Sequence, residues 1–375
     1  YVQRFDGTFW ASIGGSAYTQ VEWPVGTPSA SAMAESGGVF NNGGSNPGTN
    51  NDVACGLLGG AVWCYPTAGS VSNSVYLGAG LGPTVTTTSP VQVVTSVGVS
   101  PSPLSGVVQL VGGWGFSTSA DNGAPNFCAV TNDGSIWCWG SNVDGILGNG
   151  NTANSSYAQK VLASASAPFT NAAEVSVGVT SACARKNDGT VWCWGDNSVG
   201  QSGSGSTTPS KVPYPVQVSL LGSATHLISR PAGTFCAVIS DTSVVCWGSN
   251  NDGQAGAAPS SSPAGPTSIV VASGGSPLQG VLAVSPDDMG NATCASTTSL
   301  GLVCWGDAVQ TAGGSPSASP YPAVVHDPGT AAPVQGVGTA ISANTYGQLT
   351  YLNPYGLVVS AGAGAASAAV QPTCN

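Results

Sequence analysis

Eleven cysteines, sixteen carboxylates and two histidines are the groups in this chain whose types and spacing could do chemistry. Ten of the cysteines fall into five couples nine or ten residues apart: Cys55 with Cys64, Cys128 with Cys138, Cys183 with Cys193, Cys236 with Cys246, and Cys294 with Cys304. Thiols in couples either oxidise to a disulfide or hold a metal. Structural zinc uses closely spaced pairs such as Cys-x2-Cys together with a second pair or histidines. Here the spacing is wider, and His226 and His326 are the only histidines. Disulfides are therefore the expectation, and with them an oxidising compartment. Closing a loop of this size contributes ~2 to 3 kcal/mol per bridge in the chain-entropy picture, less where the hairpin is already favoured locally. Cys374 is left over. Its open alternatives are a free thiol, a bond to a neighbouring subunit, or a bond to a cysteine outside residues 1–375.

Paired carboxylates could act as general acid and base or attack a glycosidic bond. Half of the sixteen, however, occupy recurring places. Asp6, Asp133, Asp188 and Asp241 share one turn position, Asp196 and Asp307 each follow a Trp-Gly, and Asp144 and Asp252 share the loop after it. Turn structure accounts for all eight. None of these loops reproduces the alternating acidic ligands and terminal Glu of a calcium-binding EF-hand loop. Asp287-Asp288 is the only adjacent acidic pair, and it sits in a surface-loop context. Gly203-Ser204-Gly205 lacks the strand-to-helix setting of a nucleophile elbow. His226 lies in the strand-like run Thr225 to Ile228, where partial burial is expected, and His326 precedes Asp327-Pro328 in a turn. No catalytic constellation, metal set or cofactor motif emerges, so the expectation is a non-enzyme without a cofactor.

The elements that position these groups follow from the cysteine spacing. Setting Cys183 opposite Cys193 leaves Asn187-Asp188-Gly189 as a three-residue hairpin loop, with glycine at the place that needs a left-handed backbone. Cys128 to Cys138 repeats the arrangement with Asn132-Asp133-Gly134, Cys236 to Cys246 with Ser240-Asp241-Thr242, and Cys294 to Cys304 with Thr298-Ser299-Leu300. Cys55 to Cys64 is one residue shorter and has Gly59-Gly60, the two-residue turn that again keeps the cysteines opposed. Two further copies have lost their cysteines. Tyr1 and Ala11 stand at those positions in one, Thr350 and Ser360 in the other.

Seven hairpins therefore recur, near residues 1–13, 55–65, 128–140, 183–195, 236–248, 294–306 and 350–362, at a period of about fifty-five residues with one expanded interval. Between them run paired short strands, one reading Pro90-Val91-Gln92-Val93, Pro215-Val216-Gln217-Val218 and Pro322-Ala323-Val324-Val325, the other reading Pro103 to Leu110, Pro277 to Val284 and Pro333 to Val337, with Glu174 to Gly178 at the corresponding place in another repeat. Two strands and a hairpin make a four-stranded blade. The reading is all-β: one domain over residues 1–375, a seven-bladed β-propeller of four-stranded blades closed by its N- and C-terminal segments, with Val370-Gln371 as a late echo of the outer strand. An open solenoid would need capping repeats, and none is visible. Residues 26–52, rich in Gly, Ser and Asn, read as a long loop.

The six lysines and arginines against sixteen acids, and a pI near 4.1, exclude the basic footprint that nucleic-acid binding needs. No apolar run approaches the ~20 residues that cross a bilayer. The first residue is Tyr rather than Met, which fits a removed signal peptide or a start inside a longer protein. The segments Trp139 to Gly148, Trp194 to Gly203 and Trp247 to Gly256, each after a Cys-paired hairpin, resemble the W-G-x-N-x-x-G-Q-L-G signature of the regulator of chromosome condensation repeats. That resemblance implies a seven-bladed propeller and little about activity, since fold does not give function. The cysteine pairs and the scarcity of basic residues set the chain apart from nuclear members and make it look like bacterial secreted or surface versions.

Recurrence of Trp137, Trp139, Trp192, Trp194, Trp247 and Trp305 at equivalent positions reads as packing between blades rather than a sugar-stacking platform. Trp114 and Phe116 fall in the expanded interval without repeat counterparts and, with Asp287 and Asp288, are the candidate partner surface. Asn154-Ser155-Ser156 and Asn291-Ala292-Thr293 fit the N-glycosylation acceptor pattern. The expected function is an extracellular or cell-surface binding or assembly module, such as a coat or filament component, recognising a protein, a glycan or itself. A secreted inhibitor or adhesin is the alternative, and a carbohydrate-active enzyme the least favoured one.

Overall fold

The computed structural model describes residues 125–220 without a break, 53–113 and 222–334 with interruptions, and short strands nearer both ends. The chain divides into two compact units: Tyr1–Asn187 with Trp194–Asp196 and Lys211–Val216, and Asp188–Cys193 with Asn197–Ser210 and Gln217–Asn375.

In the first unit, β1 (Val2–Gln3), β2 (Phe9–Ser12) and β3 (Tyr18–Gln20) form a three-stranded sheet. A four-stranded sheet follows from β4 (Ala30–Ser36), β5 (Val53–Leu58), β6 (Ala61–Pro66) and β7 (Val91–Gln92). The next comprises β8 (Val107–Gly113), β9 (Asn126–Thr131), β10 (Ile136–Gly140) and β11 (Ser155–Lys160). A two-stranded ribbon, β12 (Leu162–Ser164) with β13 (Ala167–Pro168), precedes the sheet of β14 (Ala172–Val177), β15 (Ser181–Lys186), β16 (Val191–Asp196) and β17 (Lys211–Val218). The second unit holds the four-stranded sheets β18 (Ala224–Ser229), β19 (Thr234–Ile239), β20 (Val244–Asn250), β21 (Ser260–Ser268) and β22 (Val281–Pro286), β23 (Ala292–Thr297), β24 (Gly301–Gly306), β25 (Ser319–Val324). A three-stranded sheet of β26 (Ile341–Ala343), β27 (Leu349–Leu352) and β28 (Val358–Ala361) comes last. Strand order follows chain order in every sheet. The architecture is all-β with a repeated four-stranded meander.

The cysteine-set register holds wherever it is described. Cys55 lies across from Cys64, Cys128 from Cys138, Cys236 from Cys246 and Cys294 from Cys304. Thr350 faces Ser360, and Val2 faces Trp10, the register expected if positions 1 and 11 stand in for cysteines. Gly59 and Gly60, at φ 58° and 83°, make the two-residue turn, and Gly134 and Gly189, at 74° and 81°, supply the left-handed residue of the three-residue loops. Thr242 takes the same place at 67°. In the fifth couple the left-handed residue is Gly301, at 73°, one place beyond the Thr298-Ser299-Leu300 loop, which spares Leu300 a conformation its Cβ disfavours.

Burial grades across each sheet. The strands β9, β19 and β23 are buried along their whole length, as their unbroken apolar and small-residue composition requires. Leading strands alternate, and β4, β8, β14, β18 and β22 each skip one residue against their neighbour, between Ala30 and Ala32, Val107 and Gln109, Ala172 and Glu174, Ala224 and His226, and Val281 and Ala283. A bulge at one place in each of the five four-stranded sheets bends the strand and leaves the skipped side chain outside the pairing. This explains why Val108 and Leu282, the skipped residues of β8 and β22, are exposed at 61% and 45%.

Two expectations are corrected. Within the segment 26–52, Ala30–Ser36 is a strand, paired with β5 from Ala30 opposite Leu58 to Ser36 opposite Val53. Its Ala-Ser-Ala-Met-Ala-Glu-Ser sequence has no β-branched residue, so the pairing edge of β5 rather than local propensity specifies it. His226 is exposed rather than partly buried, because the bulge at Thr225 turns both residues away from the core between buried Ala224 and Leu227. Tyr1 and the closing tail with Val370 and Gln371 lie outside the described residues.

Candidate functional site

The recurring Trp-Gly-x-Asn segments organise the loop end of each repeat. Asn142, Asn197 and Asn250 are at most 2% exposed, and each spends its carboxamide on its own loop. Asn197 Nδ2 donates to Ser206 O at 3.0 Å and Pro209 O at 2.9 Å, while Oδ1 accepts from Ser202 N at 3.0 Å. Asn250 does the same with Ala257 O, Ala258 O and Ala255 N, and Asn142 with Asn151 O, Ala153 O and Leu147 N. A buried amide thus supplies the backbone partners that a non-repetitive loop cannot find in a ladder. Gln201 and Gln254 close the same loops by accepting from Val199 N and Asp252 N, each at 2.9 Å. The preceding glycine is obligatory. Gly195 holds φ 100°, and a Cβ there would lie 2.5 Å from Thr180 O.

In three successive repeats one tryptophan staples a sheet to the loop before it, whereas the equivalent Trp139 buries its Nε1 without a hydrogen-bond partner. Trp194 Nε1 donates to Ile146 O at 2.6 Å, and Trp247 and Trp305 Nε1 donate to Gln201 O and Gln254 O, each at 3.1 Å. The three acceptors hold the same place in successive signatures. With Trp139, these rings are at most 2% exposed, and Trp139 and Trp247 stack on Phe127 and Phe235. The packing role expected of them holds. Trp137 and Trp192 are only half-buried, the first under Lys160 Nζ at 4.9 Å and the second donating to Thr190 Oγ1 at 3.1 Å.

The recurring carboxylates are likewise in structural use. Asp133 accepts from Thr131 Oγ1 at 2.6 Å and Ser135 N at 3.0 Å, Asp188 from Thr190 N and Oγ1, and Asp241 from Ser243 N and Oγ. The Thr131 hydroxyl and the Ser135 amide hold the Asp133 carboxyl below its ordinary value, and the Ser243 hydroxyl and amide do the same for Asp241. Asp144 receives Lys211 Nζ at 3.1 Å, and Asp196 accepts from Thr180 Oγ1. Asp252 is pushed upward, first by burial and then by the charge of Asp307. Cations are used in the same way. Arg185 pairs with Glu174 at 3.1 Å, and Lys186 lies over Phe169 at 4.5 Å.

Disulfides join Cys55–Cys64, Cys128–Cys138, Cys236–Cys246 and Cys294–Cys304 across Cα separations of 4.0 to 4.1 Å, and Cys183 and Cys193 are disulfide-bonded as well. All ten are at most 4% exposed. Asn154 is exposed, with its Oδ1 accepting from Asn142 N at 2.8 Å. Trp114, Phe116, Asp287, Asp288, Asn291, His326 and Cys374 lie outside the described residues. Among the described residues no three His, Cys, Asp or Glu side chains gather as a metal set, and no helix is long and apolar enough to cross a membrane. The buried Asn network escaped sequence reasoning, although its signal was present as one Asn two places after each central Trp-Gly.

Repeated four-stranded meanders, stapled by tryptophan to asparagine-centred loops, are the blade unit from which β-propellers with sequence repeats are built. Models of the regulator of chromosome condensation (RCC1) repeat match residues 107–146 and 172–201 in one form, and 133–184 and 188–238 in another. Residues 107–238 of this chain thus carry RCC1-like repeats. Among solved structures it is similar to Prp20p from Saccharomyces cerevisiae, a study that includes that protein's binding to Gsp1p and histones, with 16% identity, 83% of this chain and 70% of that one covered, and a TM-score of 0.57. A complex of Kap60 with yeast RCC1 (Prp20) matches at 15% identity, covering 83% and 68%, with a TM-score of 0.57. Human WBSCR16 matches at 16%, covering 78% and 67%, with a TM-score of 0.54. At these identities the likeness is one of fold.

Replacing the buried Asn197 by Ala removes the partner of two loop carbonyls and one amide and should cost about 2 to 4 kcal/mol in urea-melting stability. The turn carboxylates give a second expectation. A folded-state carboxyl held low stabilises the protein above the unfolded group's titration, and the contribution is lost as pH falls through the folded one. Melting temperature should therefore drop less steeply on acidification in an Asp133→Asn, Asp241→Asn double variant than in the wild type, since Asn keeps the turn without titrating.

Proposed function

We propose that this chain is a secreted or cell-surface, non-catalytic, seven-bladed propeller that serves as a binding or assembly module. One observation carries the reading: Asp133, Asp144, Asp188, Asp196 and Asp241, with the cations Lys160, Arg185, Lys186 and Lys211, are engaged in turns, ion pairs and cation–π contacts, so this repeat chemistry serves the scaffold. The buried disulfides support an oxidising environment. The engagement of Lys160, Arg185, Lys186 and Lys211 within the protein speaks against a nucleic-acid surface. The protein partners named for the yeast relatives favour a protein as the ligand, with a glycan or a second copy as the other occupants. Connecting loops on a rigid sheet scaffold are where such recognition resides.

Native mass spectrometry with and without reductant separates assembly from capture. Assembly predicts stable multimers, and a reductant-sensitive ladder among them would mark linkage through a free cysteine. A clean monomer under both conditions contradicts assembly and leaves the capture reading. Turnover of a sugar polymer by the purified chain would overturn the non-catalytic reading.

A further inference from the structure

The second unit carries a face made of hydroxyls and almost nothing else. Ser204, Gly205, Ser206, Thr208, Pro209 and Ser210 are exposed in one loop, and Ala258, Pro259, Ser260, Ser261 and Ser262 in the next repeat. The first loop lies against the strand that continues the second segment, with Gly265 Cα 3.7 Å from where a Gly205 Cβ would stand. The sequence has no charged residue between Asp196 and Lys211, or between Asp252 and Asp287. An exposed surface of that extent ordinarily owes its hydration to charge.

The hydroxyls divide into two kinds. Ser204 and Ser206 are taken up locally, their Oγ atoms donating to Ser206 O and Thr208 O and accepting from Ser206 N and Thr208 N. Ser260 Oγ accepts from Ser262 N at 3.0 Å. Thr208, Ser261 and Ser262 are exposed, and their hydroxyls do none of this work. Each is within two residues of a proline, Pro209 or Pro259 and Pro263. Proline holds its neighbour extended and offers no amide, which keeps such a segment from pairing further and presents its side chains outward.

We propose that this face is an O-glycan acceptor, with Thr208, Ser261 and Ser262 as its attachment sites. The substrate class is an activated hexose, bonded through C1 to a phosphate leaving group and brought by a glycosyltransferase. The side-chain oxygen forms the new bond to C1 and the C1–phosphate bond breaks. The leaving phosphate keeps the electron pair, and the hydroxyl proton passes to the transferase's base. Composition of this kind, Ser and Thr with Pro and no charge, is that of O-glycosylated stalks. The inference rests on the proposed passage of the chain through an oxidising secretory compartment.

The test is secretion of the full chain from a yeast that O-mannosylates its exports, beside the same chain made in a bacterial periplasm, with intact masses and site mapping of both. The expected result is hexose increments on the yeast protein that map to residues 204–210 and 258–262 and disappear in a Thr208→Ala, Ser261→Ala, Ser262→Ala variant of unchanged melting temperature. Absence of increments, or increments mapping elsewhere, overturns the proposal. If the variant fails to fold, the mapped sites on the wild type decide. Failure of the five disulfides to form in either host would instead count against the extracellular reading.

Discussion

The five four-stranded sheets of this fold are each built on two cysteines standing directly across from each other in an antiparallel pair. Their close Cα approach marks the non-hydrogen-bonded position, where side chains face each other at the shortest range a sheet offers. A slip of one residue would move every neighbour to the other face. Fixing that one couple therefore places the central tryptophan on the side where the preceding loop waits, and the turn aspartate beside the hydroxyl and amide it caps. The shorter couple at Cys55 makes the point, because its turn shortens in step and the opposition survives.

From that register follows a division of labour. The strand centre is covalent and dry, the turn end is held by aspartates, and the loop end is held by an asparagine whose amide substitutes for a missing ladder. Tryptophan ties one repeat's strand to the previous repeat's loop carbonyl, so each copy depends on its neighbour, as expected of units that cannot bury their own faces alone. Groups that elsewhere would be reactive are here consumed as fasteners.

The hairpins, their register and the family resemblance were legible because they rest on local spacing: turn type and cysteine separation are set within a dozen residues. What escaped was specified by neighbours. Ala30–Ser36 looks like linker and becomes a strand because β5 offers an unpaired edge. The segment Ser260–Ser268, with prolines at 263 and 266, pairs as an edge strand, the place where a sheet tolerates proline. His226 sits in an apolar run, yet a bulge one residue earlier turns it outward. The asparagine network could be seen as a recurring letter but not as a hydrogen-bond centre, since its partners lie five to twelve residues further on.

Proteolysis without reduction, followed by identification of the linked peptides, tests the register most directly. The account predicts five bridges, each joining cysteines nine or ten residues apart within one hairpin. A bridge between cysteines of different hairpins, or free thiols at any of the ten positions in the folded protein, would contradict it.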